Sequence, residues 1–182
     1  MPGRTPSEAF DAFVDPLKEA LSCLAHAKIN VTHGGRTVVD EEHSLYLNRA
    51  TAVELKGPAR LELGIRMRYK IIRDESLEKG PFRVTTLAYD YLLARKSGEA
   101  VLNFHWHPSG KSHNKQPHIH VGTNELANDS VLTNKIHVPT GRVSVEQVLR
   151  AAIELGVQPI IPDWADRLNK TEAPFLEHRT WG

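Results

Sequence analysis

The chain has 182 residues, a formal charge of +1 and 25% charged residues, which fits one globular domain and excludes a uniformly basic nucleic-acid coat. Its one cysteine, Cys23, excludes a disulfide framework and a cysteine-based zinc cluster, and a reducing, cytoplasmic setting is expected. No apolar run reaches the roughly 20 residues that cross a bilayer, and no secretory signal is expected in the first residues, so no membrane partner is expected.

Taken in order, Thr5-Pro6-Ser7-Glu8 carries the marks of a helix start: a cap, a proline at the first helical position and a capping-box glutamate. Phe10, Phe13, Val14, Leu17, Leu21 and Leu24 then recur at helical spacing, and Pro16 predicts a kink or a restart capped by Asp15. Between residues 30 and 60 the pattern is weak: two short β-prone runs, INV and TVV, flank the turn signal His33-Gly34-Gly35-Arg36.

From residue 61 strict alternation sets in. Leu61, Leu63, Ile65, Met67, Tyr69 and Ile71 point one way, and Glu62, Arg66, Arg68 and Lys70 the other. A second strand is predicted from Phe82 to Arg95 with Leu87, Tyr89, Tyr91 and Leu93 on its apolar side, then a two-residue hairpin at Ser97-Gly98. The third strand sets Leu102, Phe104 and Trp106 against Asn103, His105 and His107, and a fourth sets Ile119 and Val121 against His118 and His120. After a loop at His137-Val138-Pro139-Thr140-Gly141-Arg142, Ser144 and Gln147 form a second capping box. It opens an amphipathic helix of Val145, Val148, Leu149, Ala152 and Ile153 that stops at Gly156, and Asp163 is placed to cap a last short helix.

The expected class is therefore α+β: an antiparallel sheet of at least four strands with helices on one face, plus an N-terminal helical segment. A single domain over 1–182 is expected, with the helical segment at 1–28, the sheet at 61–122 and the C-terminal helices at 144–170.

Residues 104–122 hold five histidines. Apolar faces of neighbouring strands must coincide, which places Asp90 opposite His105, and closing the following loop by pairing His107 with His118 pairs His105 with His120. His113 is expected to be a loop bystander. Four imidazoles on one polar face call for lowered pKa values, a metal or an anion, whereas a solvated face that happens to carry histidines is the plain alternative. Lys111, Lys115, Lys135 and Arg142 make the surrounding segment attractive to phosphate.

Two chemistries fit. In the first, His105, His107, His118 and His120 are the candidate catalytic acid and base groups of a ribonuclease or phosphodiesterase. Arg66, Arg68, Lys135, His137 and Arg142 would bind the substrate, RNA or a nucleotide, and Asp90 would orient an imidazole. In the second, the same four histidines are zinc ligands of a non-catalytic metal-binding or protein-interaction module. Clustered carboxylates for a two-metal nuclease are lacking at this site.

The run RVTTLAYDYLL, a turn, FHWHP, a variable loop and PHIHVG, over about residues 82–122, resembles the TumE-like proteins of bacterial toxin–antitoxin loci. His118 and His120 match that family's histidine-rich element, and His105 and His107 follow it. The resemblance implies a small bacterial toxin neutralised by a helix-turn-helix antitoxin.

Overall fold

The computed structural model describes residues 2–75, 80–110 and 113–178. Among them are nine strands and three α-helices: β1 (Pro2–Gly3), α1 (Pro6–Leu21), β2 (Ile29–Val31), β3 (His43–Leu47), β4 (Val53–Glu54), β5 (Leu61–Arg73), β6 (Phe82–Arg95), β7 (Ala100–Trp106), β8 (His118–Val121), β9 (Val138–Pro139), α2 (Val145–Glu154) and α3 (Trp164–His178). The strands form one sheet ordered β2-β3-β5-β6-β7-β8-β9, with β1 on β6 and β4 on β5, and every strand pairing is antiparallel. The fold is α+β. No helix among the described residues is long and apolar enough to cross a membrane.

The expected alternation of β5 holds along its length, with Leu61, Leu63, Ile65, Met67, Tyr69 and Ile71 all buried. In β6 the alternation breaks. Met67 pairs with Tyr89 and Arg68 with Ala88, but Tyr69 pairs with Thr86, so Leu87 is an extra residue in a β-bulge. The core-side parity of β6 therefore switches from Tyr89, Tyr91 and Leu93 to Thr86 and Val84, which corrects the expectation that Leu87 belongs to the odd-numbered apolar side.

The hairpin after β6 also differs. Arg95 N–H donates to Glu99 carbonyl at 2.8 Å, so the loop is Lys96-Ser97-Gly98, with Gly98 at φ +87°. A three-residue loop of this kind needs a left-handed third position, which glycine takes without strain. The extra loop residue is offset by a second irregularity: Leu93 pairs with Leu102 but Ala94 with Ala100, leaving Val101 bulged. Downstream the register is the expected one, Tyr89 with Trp106, Asp90 with His105 and Tyr91 with Phe104.

One face of the sheet is covered by the three helices. α1 is capped by Thr5 Oγ, which accepts from Glu8 N–H at 3.2 Å, while the Glu8 carboxylate accepts from Arg4 N–H at 2.9 Å. It continues through Pro16 without the restart at Asp15 that the sequence allowed, and buries Ala9, Phe10, Val14, Leu17, Ala20 and Leu21. Of the two β-prone runs around the His33 turn, INV is β2, whereas TVV contributes only an isolated bridge from Val39 to Ile71.

The Ser144–Gln147 capping box at α2 is reciprocal, at 3.0 and 3.1 Å. α2 buries Val145, Val148, Leu149 and Ala152, at about 1.5–3 kcal/mol for each large side chain removed from water. α3 is 15 residues long rather than short. Asp163 accepts the Arg167 N–H through its backbone carbonyl at 3.0 Å and holds the Arg167 guanidinium with its side chain at 2.9 Å.

α2 and α3 are joined by a polar clamp. Glu172 accepts from the Ser144 hydroxyl at 2.8 Å and from the Arg150 guanidinium at 2.6 Å. Removing one partner of such a pair leaves the other groups desolvated without compensation. Glu172→Ala is expected to cost about 2–3 kcal/mol in urea unfolding. Glu172→Gln, which can still accept from Ser144, is expected to cost less.

Candidate functional site

The face of the sheet opposite the helices collects the histidines. β7 ends at Trp106 and pairs with β8 so that His105 lies opposite His118, Phe104 opposite Ile119, and Asn103 opposite His120. The expected pairing of His107 with His118 and of His105 with His120 is thus shifted by two residues. A two-residue shift keeps every side chain on its face, so the four imidazoles still share one surface. His107 lies just past the strand end, its ring 5.5 Å from that of His105.

His105, His118 and His120 form the inner group. Ring centroids are separated by 5.7 Å for His105–His118, 5.2 Å for His105–His120 and 5.0 Å for His118–His120. One ring nitrogen from each lies within 4.8 Å of the others. His137, immediately before β9, completes the cluster with its centroid 4.5 Å from both His118 and His120.

Backbone carbonyls fix the tautomers on β8. His118 Nδ1 lies 2.8 Å from the Gln116 carbonyl and His120 Nδ1 lies 3.0 Å from the Asn134 carbonyl. A carbonyl only accepts, so each Nδ1 carries the proton and, in the neutral ring, each Nε2 keeps a lone pair. His105 Nε2 is 3.5 Å from the Asp90 carboxylate, and this buried nitrogen has no hydrogen-bond partner among the described residues.

Burial is the main reason His105 and His118 resist protonation. His118 is only 4% exposed. Its pKa is lowered from 6.5 first by burial; the bond to Gln116 opposes this, and His137, His120 and His107 reinforce it. His105 is lowered by burial, raised by Asp90, and lowered again by His120, His107 and His118.

An open pocket of about 470 Å³ adjoins the cluster, lined by His105 and His120 together with Glu99, Asn103, Asn124 and Asn134. On the other side of Asp90, Arg66 and Asp90 line a second hollow of about 280 Å³. Arg66 is directly across from Asp90 in the register. Arg68, on the same face, is bound to Glu42 at 3.0 Å and to Ser109 at 3.1 Å.

The remaining expected contacts are dispersed. Arg142 stacks on Trp106, 4.6 Å from the ring, and lines a hollow with Tyr89, Tyr91 and Glu146, so it belongs to the helix-covered side rather than to the histidine face. Lys135 is exposed on the loop before β9, and His113 is exposed on the loop before β8. Lys115 bonds the Gly110 carbonyl. Lys111 lies outside the described residues.

Sequence reasoning missed Asn134 and Gln116, which act through backbone carbonyls and so leave no residue-type signal. It also missed Glu99 and Asn124, which reach the pocket from the hairpin and from the turn after β8.

The depressed pKa values set a pH dependence for the metal-free protein. His105 and His118 titrate lower when folded than the 6.5 of the free side chain. Above that value both states are neutral and the histidines contribute nothing. As pH falls through it, the unfolded chain takes up protons that the folded one refuses, and stability declines. The melting temperature measured in chelator is expected to drop from pH 7 to pH 5, and His118→Gln is expected to flatten that slope.

Comparison with protein-family models, with curated proteins and with solved structures finds no match to this chain. Its chemistry is read from the site itself.

Proposed function

We propose that His105, His118 and His120 hold a divalent transition metal, zinc by the chemistry of an all-imidazole donor set, and that a water completes its coordination. The carrying observation is the convergence of three ring nitrogens within 4.8 Å. It is supported by the two Nδ1–H bonds to backbone carbonyls, the arrangement that presents an imidazole to a metal. Zinc–nitrogen bonds of about 2.0–2.1 Å would require the nitrogens to close to roughly 3.4 Å.

A metal held by three protein ligands would keep a fourth position for water and would lower the pKa of that water toward neutrality, which makes the reading a hydrolytic centre. Asp90 lies 3.5 Å from His105 Nε2, and His137, with its ring 4.5 Å from those of His118 and His120, would be the group to exchange a proton with such a water.

A second reading is metal-free cleavage of an RNA phosphodiester by the same imidazoles. It draws on the lowered pKa values of His105 and His118, which keep a general base available at neutral pH, and on Arg66 across from Asp90. The paired imidazoles make RNA the first substrate to try, and the resemblance to TumE-like toxins makes a helix-turn-helix antitoxin the first partner to seek. The buried, unpaired Cys23 fits a cytoplasmic setting.

Protein stripped with chelator is expected to take up about one equivalent of zinc and to melt at higher temperature with it, by about 2.7 kcal/mol of added stability at a hundredfold excess over Kd. His118→Ala/His120→Ala is expected to retain under about a tenth of an equivalent by elemental analysis. A wild-type protein that takes up no zinc overturns the metal reading. RNA cleavage that persists in chelator and vanishes in the same double variant carries the second reading in its place.

A further inference from the structure

The pocket beside the triad has a chemistry distinct from that of the basic strip. Its volume of about 470 Å³ suits a ring-sized ligand. Its polar lining residues are Asn103, Asn124, Asn134, Thr123, His105, His120 and Glu99, with no lysine or arginine among the described residues. Glu99 accepts from Asn124 at 2.5 Å and from the Ser97 hydroxyl at 3.1 Å. Arg95, at the base of the same hairpin, is bound to Glu125 at 2.6 Å.

Among the described residues, a phosphate placed in this pocket would meet a carboxylate and no guanidinium or ammonium group. Carboxamides offer a donor and an acceptor side by side, and their complement is a neutral group that carries the same pair, as a lactam edge does. The carboxamide oxygen of Asn103 is buried and has no hydrogen-bond partner among the described residues, so a small rotation of this side chain would be needed to turn it to an N–H donor from a ligand. The small residues Ala100 and Gly122 also line the pocket. A Cβ at Gly122 would lie 1.7 Å from the Ala100 carbonyl oxygen, so no side chain can stand there.

We infer that this pocket binds an uncharged planar ring through a cis-amide edge, the chemistry of a uracil-type nucleobase. The ring sits next to the open position of the metal, a placement that rests on the metal reading above, whereas the pocket itself does not depend on it.

The test titrates the full chain, loaded with cobalt(II) in place of zinc, with uridine, 3-methyluridine and inorganic phosphate. Cobalt absorption on addition of the metal alone reports the metal site, and amide chemical shifts report the pocket. Expected are saturable uridine binding, at least tenfold weaker binding of 3-methyluridine, which lacks the ring N–H, and no competition from phosphate. Asn103→Leu should weaken uridine at least tenfold with metal stoichiometry unchanged, and Asn134→Ala, on an exposed loop, repeats the test should the strand variant fail to fold. Absence of uridine binding, equal binding of the methylated ring, or tighter binding of phosphate overturns the inference. If cobalt does not bind, the same uridine titration on metal-free protein decides the pocket separately.

Discussion

Every long strand of this sheet has to turn its apolar parity toward α1, α2 and α3, and that requirement gathers the histidines. Tyr89, Tyr91, Phe104 and Trp106 are buried on the helix side. The side chains between them, Asp90, Asn103 and His105, have only the other face to occupy. The cluster is thus held by the hydrophobic core behind it. Substituting a histidine would alter the chemistry but not the register, whereas disturbing the β6–β7 pairing would scatter the site.

That arrangement carries an electrostatic cost which the site converts into readiness. Burial lowers the proton affinity of His105 and His118, and the neighbouring rings add to the effect. The outcome is a pair of imidazoles whose lone pairs are held available beside the other rings of the cluster. Such lone pairs serve a metal ion or abstract a proton, and the surrounding groups favour the metal because the carbonyls of Gln116 and Asn134 already hold the opposite ring nitrogens of His118 and His120. The phosphate-attracting surface expected from the lysines and arginines is dispersed: Arg142 is on the helix side, and Arg68 is engaged with Glu42 and Ser109.

Where a residue's own chemistry determines its surroundings, the sequence was readable. Alternation in LELGIRMRYKII identified the buried face of β5, and Ser144 with Gln147 announced the start of α2. Opposition of Asp90 and His105 was also legible, although through two errors that cancel, an extra loop residue and the bulge at Val101. Bulges have no reliable letter code, which is why Leu87 was assigned to the wrong role. The register of β8 depends on how a loop closes, and pairing the first available histidines put it two residues off while preserving its face. Pro16 shows tertiary packing overriding a local preference: the buried stripe of α1 continues on both sides of it.

The Asn134 carbonyl that orients His120 comes from 14 residues further along the chain. What matters at that position is where the main chain arrives, and any side chain leaves the carbonyl in place. Selection acting on this contact alone would preserve the length of the 121–134 segment, because a change in length would move the carbonyl away from His120 whatever side chains the segment carries.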